Sequence, residues 1–183
     1  MKKSPPGGKG RSMKSKTFLL MLFVLLFALY AAPATRAQEP GDLQKRISGN
    51  WTLVSIYNEW PDGRKLEQFG AQPQGFMILT PDGRFSIFFA KADLPKFAAG
   101  NRLEGTIDES LAVARGTLAY FGRYRVENDQ EGVVELLVEG CTFPNWNGRK
   151  HKRLMSPSGD SLRVVTPASG IGGTSHIVWR RAR

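Results

Sequence analysis

The chain has 183 residues, 41% of them apolar, and a formal charge of +10. The length suits one domain with an accessory segment, and the charge invites a nucleic-acid reading. Its distribution excludes that reading: residues 1–37 hold seven basic residues and no acid, so the remainder, with 19 basic and 16 acidic residues, presents no evident phosphate-tracking field.

The basic opening leads into FLLMLFVLLFALYAA, Phe18 to Ala32. At 15 residues this run is shorter than the roughly 20 of a comfortable membrane span. Small residues follow it. Ala32-Pro33-Ala34 fits an A-x-A cleavage site, and Thr35-Arg36-Ala37 fits more loosely. This order predicts a signal peptide over residues 1–37 and a periplasmic or secreted protein exported by a bacterium. The alternative is an uncleaved anchor, with the membrane reached only through the leader. Residues 38–46, with Pro40 and Gly41, read as a polar linker, and 47–183 as the domain. The one cysteine, Cys141, leaves no internal disulfide and reads as a buried small hydrophobe. The domain must therefore be held by its core.

From Gly49 the chain shows short alternating runs divided by turn residues, the pattern of a sandwich or barrel. Strands are predicted at Trp51–Tyr57, Phe76–Thr80, Phe85–Phe89, Leu118–Val126, Val133–Val138, Lys150–Met155, Leu162–Thr166 and Ser175–Arg181. Between the second and third, Thr80-Pro81-Asp82-Gly83-Arg84 is a turn: Pro81 presets the first turn angle and Gly83 suits the left-handed position after it. Lys91 to Gly105 has no clear period and reads as a loop or lid. Thr106 can cap a short helix running to about Ala114, with Glu109 three residues on.

Pairing the hairpin across its turn puts Met77, Leu79, Phe85, Ile87 and Phe89 on one wholly apolar face. The opposite face is mixed, and its Phe76 and Phe88 call for cover from the helix or the Lys91–Gly105 loop. The same test turns Val134, Leu136 and Val138 inward and Glu135 outward. Leu118, Tyr120, Tyr124 and Val126 share a face, as do Ile177, Trp179 and Arg181. The fold class is all-β: an antiparallel barrel of about eight strands with one short helix. Such a barrel either fills itself with side chains or holds one small molecule. The expected ligand-binding residues are Met77, Leu79, Phe85, Ile87, Phe89, Tyr120, Tyr124, Leu136 and Trp179, around a hydrophobic molecule with a polar end.

GNWTLVS (Gly49–Ser55), FGAQPQGFMILTPDGRFS (Phe69–Ser86), AYFGRYRV (Ala119–Val126), PNWNGRKHKR (Pro144–Arg153) and IVWRR (Ile177–Arg181) occur in this order. Together they resemble a bacterial lipocalin-like domain family of mostly uncharacterised barrel proteins, over roughly Ile47 to Arg181. The resemblance implies a lipocalin-type barrel. It also implies that the Trp of G-x-W, here Trp51, closes the barrel floor beneath an Arg near the last strand, here Arg181. Relatives often carry histidines in the strand before PNW, where this chain has Leu136 and Leu137. Chemistry done by such histidines is not expected here.

No catalytic motif, metal-ligand set or cofactor fingerprint appears: His151 and His176 lie on separate strands, and no catalytic residue, metal or cofactor is assigned. Arg149–Arg153 is a basic cluster whose alternate residues face opposite ways; it reads mostly as a solvated edge, with Arg153 able to turn inward as a polar anchor. Two other function classes stay open. One is a cofactor-independent isomerase or cyclase using Tyr120, Tyr124, Glu135 or Arg153. The other is a structural envelope protein with a filled barrel.

Overall fold

The computed structural model describes residues 41–183, and in them the alternating runs become strands of a single closed sheet. The strands are β1 (Gly49–Glu59), β2 (Lys65–Leu66), β3 (Gln74–Leu79), β4 (Arg84–Ala90), β5 (Thr117–Asn128), β6 (Val133–Cys141), β7 (Lys150–Ser158), β8 (Ser161–Thr166) and β9 (Thr174–Arg181). All neighbours are antiparallel. β1 pairs with β3 on one edge and β9 on the other, which closes eight strands into a barrel. β2 is a two-residue addition to the far end of β1. Closure removes every long unpaired edge, so the sheet needs no disulfide to guard it.

The faces follow the side-chain period. Met77, Leu79, Phe85, Ile87 and Phe89 are all buried, as are Val134, Leu136 and Val138, and Leu162, Val164, Ile177 and Trp179. The β3–β4 hairpin has the register Leu79 opposite Phe85 and Met77 opposite Ile87. Its turn closes with Gly83 donating to the Thr80 carbonyl at 3.0 Å, and Gly83 takes φ +84°. A side chain there would be strained, which is why the turn carries glycine.

Bulges interrupt the ladders of β1 and of the β5–β6 pair, and the one in β1 redirects interior side chains. β1 carries a bulge between Leu53 and Ser55. It shifts the inward set from Trp51 and Leu53 to Ile56 and Asn58, and leaves Tyr57 outside.

Among the described residues, two α-helices decorate the barrel. α1 (Asp42–Ile47) corrects the reading of 38–46 as linker. Leu43 and Ile47 are buried, so this short helix is part of the core rather than a spacer. It closes the barrel end where the β3–β4, β5–β6 and β7–β8 turns lie. Gln44 donates to the Pro81 carbonyl at 2.8 Å, Arg46 to that of Pro157 at 2.8 Å, and the Leu43 amide to Asp129 at 3.3 Å.

α2 (Ile107–Gly116) begins where the sequence places it. Thr106 Oγ1 accepts from the Glu109 amide at 3.2 Å, and Glu109 accepts from the Thr106 amide at 2.8 Å. Glu109 also accepts from the Ala98 amide at 2.9 Å, so one carboxylate ties the preceding loop to the helix start. The Ala98 and Thr106 amides hold that carboxyl below its ordinary range. Thr106→Ala is expected to cost about 1 kcal/mol locally. Amide exchange in α2 should quicken without a matching change in the barrel strands; uniform quickening would mean that the cap supports the whole fold.

Phe76 and Phe88 lie on the outer face with ring centroids 5.9 Å apart. Neither the helix nor the loop fully covers them, since Phe76 is 46% exposed. With Phe121 and Cys141 they line an open groove of about 480 Å³ outside the sheet. Cys141 is therefore only partly buried, contrary to the expected core placement. Burial still pushes its thiol pKa up, which leaves it a weak nucleophile.

Candidate functional site

The closed end is built from the first and last strands. The Trp51 indole donates to the Ile47 carbonyl at 2.8 Å. The Arg181 guanidinium lies 4.2 Å from the centre of the Trp51 ring and donates to the carbonyls of Arg46 (2.7 Å) and Ser48 (2.9 Å). Those carbonyls belong to the end of α1, where a cation is favoured. Gly49 makes room for it, since a Cβ there would sit 2.6 Å from an Arg181 nitrogen. The G-x-W glycine and tryptophan thus form one device with the C-terminal arginine.

Several residues expected to line a ligand site belong to this floor. Trp51 pairs with Met77, and Gly49 with Leu79. Tyr124 donates its hydroxyl to the Thr80 carbonyl at 2.7 Å and meets Ser48 Oγ at 3.2 Å. Its polar atom is already committed to holding α1 and the β3–β4 turn. Phe85 lies directly opposite Leu79 in the β3–β4 hairpin, at the same level.

The open end differs. Phe89 is 5.5 Å from Trp179 and 6.4 Å from Tyr120, so these three expected residues meet across the interior. Two further aromatic rings reach the same layer from loops. Phe69, between β2 and β3, is 2% exposed and stacks on Phe89 at 5.5 Å. Trp146, in the one-turn 3-10 helix Pro144–Trp146, meets Tyr120 edge-on at 5.5 Å and His151 at 4.8 Å. The upper interior is therefore filled by side chains in contact, and two of them are carried by loops.

Around this layer runs a tier of buried polar groups. Arg153, Thr166, Ser175 and Asn58 are 4–8% exposed and come from β7, β8, β9 and β1 in turn. Thr166 pairs with Ser175, and Ser175 with Asn58. Asn58 is satisfied by the β8–β9 loop, donating to Ser169 Oγ and to the Gly172 carbonyl. His151 faces inward on β7, and its buried Nε2 has no hydrogen-bond partner among the described residues. The basic cluster is split as alternation requires. Lys150 and Lys152 point outward to Glu135 (3.1 Å) and Glu127 (2.8 Å), while His151 and Arg153 turn in. β7 is no edge, because both its neighbours are paired.

Two ionisable groups show the environment. Burial pushes the Tyr120 hydroxyl pKa up, and the nearby Arg153 guanidinium opposes that rise. Tyr120 is thus a hydrogen-bond donor at neutral pH rather than a base. Burial, aided by Arg153 and Arg149, lowers the pKa of His151 from 6.5. The folded imidazole stays neutral where the unfolded one takes up a proton, so stability is lost as pH falls below about 6.5. His151→Gln is expected to flatten the pH dependence of the unfolding midpoint between about 6.5 and the lowered folded value. An unchanged slope would assign that dependence to another group.

Glu135, weighed above as a catalytic carboxylate, points outward and is held by Arg125 at 3.0 Å and Lys150 at 3.1 Å. The Arg125 hydrogen bond, then that of Lys150, lowers its pKa. It is an outer-face ion pair away from the interior.

Sequence reasoning missed Phe69, Trp146, Asn58, Thr166 and Ser175 as interior residues of the open end. The two aromatics were visible inside quoted stretches, but a loop residue has no period to reveal its direction. Asn58 was hidden by the bulge.

A family model described as a lipocalin-like domain matches residues 48–182. The chain is also 38% identical over 98 residues to the 4'-hydroxy-3'-methoxypropiophenone carrier protein ppsC of Aspergillus oryzae, a match covering 48% of this chain and 86% of that protein. That relative is fungal, so the likeness is not confined to bacteria.

Proposed function

The chain belongs to the lipocalin-like domain family, and from that premise we propose that it binds and carries a small amphipathic molecule in the open half of its barrel. One observation carries this reading. The aromatic layer of Phe89, Tyr120 and Trp179 is covered by Phe69 and Trp146, which sit on loops and can leave without breaking a strand. The polar tier around it offers donors to a ligand's polar end. The carrier named for an aryl ketone supports the same class, an aromatic body with polar substituents.

The contact between those rings favours a second reading, a barrel that is simply filled. Titration of tryptophan fluorescence with 4'-hydroxy-3'-methoxypropiophenone separates the two. A carrier gives saturable quenching, because Trp146 and Trp179 border the site. A filled barrel gives no saturable change with this or other aryl alkyl ketones.

The leader supports export as part of the same reading, although residues 1–37 lie outside those the structure describes. Among the described residues no helix is long and apolar enough to cross a membrane. The intact mass of protein recovered from its own host is expected to begin after Ala34 or Ala37; a mass retaining the apolar run would replace export with anchoring.

A further inference from the structure

We propose that the open half of the barrel holds an anionic head group, a carboxylate or an acidic enolate or phenolate, on the buried guanidinium of Arg153; this rests on the carrier reading above. Arg153 is 6% exposed and faces inward from β7. Among the described residues its guanidinium donates to the carbonyl of its neighbour Lys152, at 2.9 Å, and lies beside the Tyr120 hydroxyl. None of the ion pairs among the described residues includes it. The nearest outward acid on the adjacent strand, Glu135, is already shared by Arg125 and Lys150.

A buried cation without a counter-ion is costly, and arginine cannot escape the cost by losing its proton. Its planar fork carries five donors and matches a carboxylate in a bidentate way. Two further groups converge on the same place. The Tyr120 hydroxyl lies close enough to the guanidinium to feel its charge and can donate. The buried, unpartnered Nε2 of His151 sits two residues away on the same face of β7. Trp146 lies over both rings and would flank the ligand's aromatic body. The arrangement is an anion anchor at one side of an aromatic slot.

Calorimetric titration with 4-methoxycinnamate and with its neutral amide tests this directly. The wild-type protein should bind the carboxylate about tenfold to a hundredfold more tightly, as expected for a charge-assisted hydrogen bond. Arg153→Met should abolish that preference, so that the carboxylate and the amide bind the variant within about threefold of one another, and Arg153→Lys should retain part of it. Because an uncompensated buried charge is removed, Arg153→Met should not lower the unfolding midpoint. If that variant nonetheless fails to fold, the wild-type preference and the Arg153→Lys protein still decide. Equal binding of the two probes to the wild type overturns the anion anchor and leaves the carrier reading standing. Binding of neither removes the carrier reading and the anchor with it.

Discussion

Trp51→Ala is expected to lower the unfolding free energy by about 4–5 kcal/mol, the upper end for truncating a large buried aromatic side chain. The indole is 1% exposed, and its N–H is the partner of the Ile47 carbonyl. Removing it opens a void beneath α1 and leaves Arg181 without the ring it covers. Trp51→Phe restores much of the apolar volume but not the donor, so a loss of about 1–3 kcal/mol is expected. Arg181→Met removes two hydrogen bonds to the end of α1 and should cost a similar amount. The two sites touch, so their effects will not add. A double-mutant cycle should return a coupling of about 0.5–2 kcal/mol from the cation–π contact. Urea midpoints with unchanged slopes give these values. A Trp51→Ala loss below about 1 kcal/mol would mean that the floor is not a stability element.

Phe69→Ala should separate a plug from a wall. Phe89 is carried by β4, and truncating it is expected to cost about 3–5 kcal/mol, because strand neighbours cannot follow it into the void. Phe69 is as deeply buried but sits on a loop that can relax, so about 1–3 kcal/mol is expected. Ligand binding should move the other way. If Phe69 must leave before a ligand enters, its removal increases the binding-competent fraction and tightens apparent affinity by about tenfold. Titration of both variants with the same aryl ketone reads this out. Weaker binding by Phe69→Ala would make the ring part of the pocket wall. No binding by either protein would fit a barrel filled for structure alone.

The interior assignments of the β3–β4 hairpin and of Val134, Leu136 and Val138 needed nothing beyond a period of two. The helix start at Thr106 was legible because a capping box is chemistry confined to four residues. The pairing of Trp51 with Arg181 came from a family resemblance, and the alternation of β9 independently turned Arg181 inward. By contrast, Tyr124 and Tyr120 share a face and residue type, yet one hydroxyl is bonded to a turn carbonyl at the floor and the other lies beside Arg153. Height along a barrel depends on strand tilt and register, which alternation does not encode.

The sequence by itself determined the strands, their inward faces, the turn at Gly83 and the likeness to a lipocalin-type barrel, because each depends on residues near one another in the chain or on a pattern read in order. Only the tertiary structure decided that residues 42–47 are a helical floor, that a bulge turns Asn58 inward, and that Phe69 and Trp146 close the open end. Those outcomes depend on which distant groups remain unsatisfied when the sheet closes. Leu43 and Ile47 find apolar cover beneath the barrel, Asn58 finds the Gly172 carbonyl, and Arg153 is left with its charge buried and outside every ion pair among the described residues.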